Sequence, residues 1–433
     1  MDARWLGWSL LVAGGALGWA AAADGQDLSG YFPQGVPGYD TAPGVTVQSR
    51  ARPQYDPVGV RAGSFLLYPQ VDLGVGYDSN LFGTAPMPGK NPGSWVFNTG
   101  ASVRANSVWG RDSLGGYFSV DHADDLNLPS QSRTDWTGSA GGTVNINEDQ
   151  LTLGAAHLSL HQAPTAIDAL PTDEPVPYQV NDLRASYVHD FDRLSLTPDL
   201  DFTTYRFGNT TIGGVPALQA YRDRDVLEAG LTARYPVAPL RTILFVLRGT
   251  GTHYTQPQPG APSRNSTGGL ALIGVERGDG VWDLRLLAGW EQRDFVAPQY
   301  RAHGAPAAEA DVTWSPSGLT TVTGTLSRTI EDAAQEGVAG YTNTTARLVI
   351  DHEYLRNVLL NGFASLQHAA FLEGGGTQTL FGLGGGVTWL MNRHVRLSGT
   401  ETFFDMRSIQ GGSAPSSGSY LRSLTLLTLG LGL

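Results

Sequence analysis

The segment Gln70–Asp78 reads QVDLGVGYD, and its pattern decides the fold class. The apolar residues Val71, Leu73, Val75 and Tyr77 alternate with Gln, Asp and Gly. Successive side chains of a strand point to opposite faces, so this period of two predicts a β-strand with one apolar and one polar or small face. The alternation returns in runs of about ten residues, longer than most soluble strands and suited to tilted strands that cross a membrane.

The same alternation recurs along the whole chain. It is clearest in the segments Trp95–Asn106, Leu196–Thr203, Leu227–Arg234, Trp282–Glu291 and Leu421–Leu433. The last segment alternates up to the final residue, where a soluble protein would usually fray. In hydrocarbon every backbone N–H and C=O needs a partner within the protein, so the sheet must close and the last strand must pair with the first.

Tight turn signals give the strand count. They lie near Gly110, Glu148, Asp192, Val237, Gly278, Pro316, Arg356 and Asn392. Each interval holds two long strands and one longer stretch rich in Pro, Gly, Ser and Asn. With an opening and a closing strand the count is eighteen, and sixteen is the alternative. We therefore predict an all-β fold, a transmembrane antiparallel β-barrel over residues 64–433, with short periplasmic turns and long extracellular loops.

A secreted β-propeller is the competing interpretation of a period of about forty residues. A propeller needs four short strands in each repeat, whereas this chain has two long ones. The Trp-Asp dipeptide typical of one propeller family occurs once, at Trp282-Asp283. The barrel is favoured.

The composition excludes several classes of protein. The 433 residues include 56 Gly, no Cys and a single Lys, Lys90, and the formal net charge is −12. Without Cys there are no disulfides, thiolate metal sites or cysteine nucleophiles. The acidic balance argues against a nucleic-acid partner.

The N-terminal region predicts export. Residues 1–23 combine Arg4, an apolar stretch from Trp5 to Ala22 and small residues before Asp24, which is the pattern of a cleaved signal peptide. Residues 24–63 are rich in Pro and Gly without apolar periodicity, which predicts a flexible periplasmic arm. The predicted location is the bacterial outer membrane.

A family resemblance rests on three stretches near the start of the barrel. Arg52–Arg61 reads RPQYDPVGVR, Gly63–Pro69 reads GSFLLYP and Gly76–Phe82 reads GYDSNLF. Together they resemble the opening of the putative outer-membrane β-barrel porin family of the beta-barrel porin 2 type. The resemblance implies an alphaproteobacterial outer-membrane barrel, often linked to capsule or exopolysaccharide, with no catalytic residues to carry over. Leu433 departs from the aromatic residue that ends many such barrels.

The alternation also predicts which charged residues face the lumen. The candidate pore-lining residues are Asp72, Arg104, Asp135, Arg184, Asp199, Asp201, Glu228, Arg234, Asp283, Arg285, Glu291, Arg347, Asp351 and Arg396. Arg248 and Glu353 share this face, so nine acids stand against seven bases and predict a weak cation preference. The alternative is that these residues pair across strands and only solvate the wall.

Three classes of function are compatible with these patterns. The first is a porin-like conduit for hydrophilic solutes. The second is an outer-membrane component of exopolysaccharide or capsule export or surface assembly, and the third is an outer-membrane hydrolase. Neither His157 with Ser159 nor His189 with Asp190 is accompanied by a Gly-x-Ser-x-Gly motif, so catalysis is disfavoured.

The remaining expectations concern ligands and partners. No cofactor or metal is expected, and Asp121–Asp125 is interpreted as a solvated extracellular loop. The expected partners are outer-membrane lipid, lipopolysaccharide at arginines near the loops, the barrel-assembly machinery at the C-terminal strand and, in the second function, a polysaccharide.

Overall fold

The computed structural model describes residues 31–32, 35–39, 45–85, 92–256, 260–411 and 418–433, and within them the fold is a barrel of eighteen strands. The strands are β1 Phe65–Asp78, β2 Ser94–Ser107, β3 Ser113–Asp125, β4 Arg133–Ile146, β5 Asp149–Gln162, β6 Val176–Phe191, β7 Leu194–Phe207, β8 Arg224–Ala238, β9 Arg241–Tyr254, β10 Ser266–Gly278, β11 Trp282–Phe295, β12 His303–Ser317, β13 Thr320–Glu331, β14 Tyr341–Leu355, β15 Val358–Phe371, β16 Gly376–Leu390, β17 Val395–Gln410 and β18 Tyr420–Gly432. Among these residues no helix is long and apolar enough to span a membrane.

The barrel closes between the first and last strands. β1 pairs antiparallel with β18 from Gln70 opposite Gly432 to Asp78 opposite Leu424. Every other strand pairs antiparallel with its neighbours in sequence, so no barrel strand has a free edge. This confirms the predicted closure and the count of eighteen, which leaves the backbone groups of each strand paired within the protein.

The predicted turns are also confirmed. Eight short connections lie at one end of the barrel, at residues 108–112, 147–148, 192–193, 239–240, 279–281, 318–319, 356–357 and 391–394. The other end carries nine connections, from four residues at 372–375 to sixteen at 208–223. The predicted signal peptide at residues 1–23 lies outside the described residues.

The outer face is apolar, as the alternation predicts. Val71, Leu73 and Val75 of β1 are exposed, whereas Asp72 between them is buried. Seven aromatic residues near the short turns are exposed as well, as expected for a girdle at the membrane interface: Trp109, Phe191, Tyr235, Trp282, Trp314, Tyr354 and Trp389.

Pro69 and Pro198 lie inside strands, although a proline has no N–H to donate to a sheet ladder. Pro69 of β1 stands opposite Val103 of β2, and its carbonyl accepts from the N–H of Leu433. The N and C=O of a strand residue point to the same side, so the missing N–H of Pro69 is on the side where β18 ends. Pro198 pairs with Leu231, and the pairing of β7 with β6 is interrupted beside it. Each proline is tolerated because its missing N–H points away from a continuous ladder.

Asp121–Asp125 forms the end of β3 instead of an extracellular loop. Asp121 stands opposite Gly100 and Asp135, within the ladder. The loop interpretation is wrong because polar residues occupy both faces of this strand near its extracellular end, which hides the period of two.

Candidate functional site

The lumen is the candidate site, and the strand register places all fourteen predicted residues on its wall. Residues directly opposite each other in an antiparallel pair share a face. Arg184, Asp201 and Glu228 stand opposite one another on β6, β7 and β8, and Asp72 reaches Arg396 across β18, with 2.9 Å between Oδ1 and Nη2. That these residues border a conducting pathway stays a prediction.

The register also places the other predicted residues on the inner face, because each stands opposite an inward-facing residue of a neighbouring strand. These residues are Arg104, Asp135, Asp199, Arg234, Asp283, Arg285, Glu291, Arg347 and Asp351. Arg234 and Arg285 pair with acids of the wall, and Asp351 accepts from Gln48 of the N-terminal region. Two others contact other strands of the wall. Arg347 lies over the ring of Phe363, 4.5 Å from its centroid, and Glu291 accepts from the N–H of Ile330.

One part of the wall carries partly exposed charges, and we call it the charged sector. It comprises the inward residues Asp199, Asp201, Glu228, Arg234, Arg248, Glu276, Asp283, Arg285, Glu309 and Asp311 of β7–β12. Ion pairs link its strands: Arg285 lies 3.2 Å from Glu309 on the neighbouring strand, and Arg234 of β8 reaches Glu276 of β10 at 3.6 Å. Seven carboxylates face three arginines in this set, so pairing leaves an excess of four acids.

The pairs of the charged sector remain accessible to solvent. The side chains of Glu276 and Asp311 are 44% and 49% exposed. Exposed pairs gain little net free energy because water screens them and their side chains lose entropy. The excess acids can therefore interact with a passing ion.

The wall of β3–β7 is covered by an N-terminal segment. Residues 31–39, of which 31–32 and 35–39 are described, form what we call the plug segment. Its Phe32, Val36 and Tyr39 are buried in an apolar cluster with Leu158 and Tyr178 of the wall. The cluster also includes Ala156, Leu160, Val176, Val180 and Phe207.

The plug segment lies directly on the backbone of the wall. Gly115, Gly141 and Gly154 stand opposite one another on β3, β4 and β5. A Cβ at Gly115 would lie 2.9 Å from Cδ of Pro37, and a Cβ at Gly141 would meet the Pro37 carbonyl oxygen. The absence of side chains along this row allows the segment to approach so closely.

Arg184 holds the plug segment from the side of β6. Its guanidinium lies 4.5 Å from the ring centroid of Phe32 and 4.9 Å from that of Tyr39. The same guanidinium pairs with Asp182 and Asp201, each at 2.9 Å. Arg184 therefore contacts both the segment and the acids of the wall.

The next part of the N-terminal region is fixed at the short-turn end, and we call residues 45–56 the mouth anchor. Arg52 pairs with Glu353 at 2.9 Å, and both side chains are largely buried. The N–H of Val47 donates to Thr321, and Gln48 donates to Asp351.

The mouth anchor is part of the arm that the composition of residues 24–63 predicts, and the flexibility of that arm stays a prediction. Pro and Gly disfavour regular structure, but they do not prevent a chain from packing against a preformed wall.

A loop from the opposite end also enters the lumen, and we call residues 163–175 the inner loop. Ile167 is fully buried with Tyr341, Phe404, Met406 and Tyr420 of the far wall. The N–H of Asp168 donates to Gln378, 2.8 Å away. Burial raises the pKa of the Asp168 carboxyl to about 7, although a hydrogen bond from Ala334 opposes this effect.

Buried charges join the loops to the upper wall. Asp332 pairs with Arg293 at 2.6 Å and with Arg224 at 3.1 Å, and all three side chains are at least nine-tenths buried. Burial raises the pKa of Asp332, but Arg293 and Arg224 outweigh it and hold the pKa below its ordinary value. Asp332 escapes prediction from the sequence because it lies in an irregular segment with no periodic signal.

The histidines weighed as catalytic pieces have structural partners. His157 bonds to Asn181 at 2.7 Å and His189 bonds to Asp149 at 2.7 Å. In the parts of the chain that the structure describes, no three His, Cys, Asp or Glu side chains are grouped as metal ligands.

Comparison with known proteins gives one family and several structures. The sequence profile of the family described as "Putative beta-barrel porin 2" matches residues 52–420. No curated protein sequence matches the chain.

Two of the similar solved structures match this chain over nearly their whole length. Pseudomonas aeruginosa OccK2 in complex with glucuronate is 12% identical with a TM-score of 0.44, covering 85% of this chain and 98% of that one. A BenF-like porin from Pseudomonas fluorescens is 11% identical with a TM-score of 0.43, covering 85% and 99%.

Proposed function

Because the chain belongs to the putative beta-barrel porin 2 family, we propose that it acts in the outer membrane as a conduit for small hydrophilic solutes and has no enzymatic role. The closed eighteen-strand wall fits this role, since a barrel of this size encloses a lumen wider than its own side chains fill. Cleavage of residues 1–23 before Asp24 is part of the same proposal.

The observation that carries the proposal is the excess of acids in the charged sector. Carboxylates lining a pore attract cations and repel anions, and low-dielectric walls strengthen this field. The internal segments cover other parts of the wall, so this sector is the best candidate for the path of a solute. Weak cation preference is the expected behaviour.

Planar-bilayer recording across a salt gradient tests the proposal. The double variant Asp199→Asn/Asp201→Asn removes two acids of the charged sector and leaves Arg184 paired with Asp182. Its reversal potential should shift toward the value for an anion-selective pore. The cation preference of the unmodified protein should weaken as the salt concentration rises, because salt screens fixed charges over a Debye length of about 10 Å at 0.1 M.

Asp405→Asn is the matched control, because Asp405 lies on the lipid-facing side of β17 opposite Leu421. It makes the same chemical change and should leave the reversal potential unaltered. Anion preference in the unmodified protein would contradict the charge argument. A folded protein without any conductance would favour the role in exopolysaccharide export or assembly.

A further inference from the structure

The plug segment is held by contacts that the barrel does not need for its own integrity. Each wall strand under it is already paired on both sides. The backbone of the segment closes a turn of its own, with the N–H of Tyr39 donating to the carbonyl of Val36 at 3.0 Å. The wall would therefore remain complete after the segment had left.

Removal of the segment would also leave Arg184 paired. Arg184 keeps Asp182 and Asp201 as partners when the rings of Phe32 and Tyr39 are withdrawn. The hydroxyl of Tyr39 donates to the backbone carbonyl of Asp182 at 3.2 Å, and this acceptor can bind water instead. A buried charge stranded without a partner is the usual obstacle to such a movement, and it is avoided here.

The mouth anchor would retain the segment in the meantime. Arg52 and Glu353 fix the chain at the short-turn end, and Arg393 donates to the Pro53 carbonyl at 3.0 Å. These contacts involve β14 and the turn before β17, on the other side of the mouth from the row of glycines. Undocking of residues 31–39 therefore leaves these contacts in place.

We propose that the described residues 31–32 and 35–39 form a removable plug that docks on the Gly115–Gly141–Gly154 row and on Arg184 and thereby limits flow through the lumen. The effect on flow rests on the proposed conduit, whereas the docking itself does not. Docking covers Arg184 while it stays paired with Asp182 and Asp201, so the plug also hides part of the charge that faces the lumen.

The test measures docking by chemical labelling of the full chain in bilayers. The protein has no Cys, so Val36→Cys introduces a single thiol at a fully buried position, and Val45→Cys introduces one at a position that is 67% exposed. A membrane-impermeant maleimide should label position 36 at least about tenfold more slowly than position 45, because labelling requires undocking.

Two glycine variants of β4 then separate docking from general damage. Gly141→Ala places a methyl against the Pro37 carbonyl, whereas Gly138→Ala adds one where the nearest atoms are 3.8 Å away. Gly141→Ala should accelerate labelling of Val36→Cys by about tenfold and raise the single-channel conductance, while Gly138→Ala changes neither. Tyr39→Ala, which alters the plug and leaves the wall intact, should act like Gly141→Ala.

The outcomes distinguish the two proposals. Equal labelling rates at positions 36 and 45, or no acceleration in either Gly141→Ala or Tyr39→Ala, would overturn the plug. Accelerated labelling with an unchanged conductance would show that docking does not limit flow and would overturn the proposed effect on flow. If neither the unmodified protein nor any variant conducts in the bilayer, the proposed conduit function is overturned, and the labelling rates alone decide whether the segment docks.

Discussion

The charged sector and the wall under the plug segment are built from the same kind of strand, but different residues occupy their inner faces. On β7–β12 paired acids and arginines remain partly exposed, as with Arg285 and Glu309. On β3–β5 glycines replace them, and Pro37 and Tyr39 cover the backbone. The inner face thus contacts solvent on β7–β12, whereas on β3–β5 it contacts another segment of the chain.

The difference teaches that burial, rather than charge, decides what an inner residue contributes to stability. Glu276 is 44% exposed beside Arg234, whereas Asp332 is 10% exposed between two arginines. Water can solvate the Glu276 carboxylate when its partner is lost, but it cannot reach the buried Asp332 carboxylate.

The largest expected effect compares those two carboxylates. Asp332→Asn should destabilise the barrel by about 3–5 kcal/mol, because it leaves Arg224 and Arg293 buried without a full counter-charge. Glu276→Gln makes the same chemical change and should cost at most about 1 kcal/mol. Urea unfolding from bilayers measures both, and equal losses would show that burial does not decide what these two carboxylates contribute to stability.

The next effect compares the two faces of β9 in the charged sector. Leu247→Arg places a charge against lipid and should cost about 2–4 kcal/mol near the bilayer midplane. Thr250→Arg faces the lumen, where the Thr250 hydroxyl already donates to Glu228, and should be tolerated. The yield of folded barrel in lipid vesicles checks this order, which a misassigned face would reverse.

The smallest effect concerns pH at the inner loop. Asp168 has a pKa of about 7 in the folded protein against 3.8 for the free group, so folding favours its protonated form. Docking of the loop is then strongest below about pH 4 and weakens as the pH rises to about 7. Amide protection factors of residues 163–175, which are corrected for the intrinsic base-catalysed exchange rate, should be lower at pH 8 than at pH 5, and Asp168→Asn should remove most of this difference.

Asp332 provides the contrast for that experiment. Arg293 and Arg224 keep it ionised, so the amide protection factors around it should not change between pH 5 and pH 8. A pH response that persists in Asp168→Asn would assign the effect to another group.

The sequence predicts the wall well because its signals are local. The alternation in Gln70–Asp78 and the tight turns each depend on a few neighbouring residues, and the strand count follows from them. Prediction fails where the contacts are distant in sequence. Gly115, Gly141 and Gly154 form one row only after the strands pair, and no local pattern links them to Pro37.

The mouth anchor shows the same limit for a related reason. Residues 45–56 have no period of their own, and their contacts are with wall residues distant in sequence, as with Val47 and Thr321. The inner loop shows the same limit, since Ile167 is one apolar residue within a stretch rich in Pro and Ala. The face of a charged residue within a strand follows from the local alternation, whereas the pairing of Asp332 depends on a loop that the sequence leaves undefined.

The position of the mouth anchor has a consequence for the order of biogenesis. β1 begins at the short-turn end, so the plug segment and the seam between β1 and β18 are reached from the same compartment. The segment need not be threaded through a half-made ring, because it can enter from the periplasm after the ring is sealed. Insertion into the membrane and occupation of the lumen can then be separate events, since neither requires the other to come first.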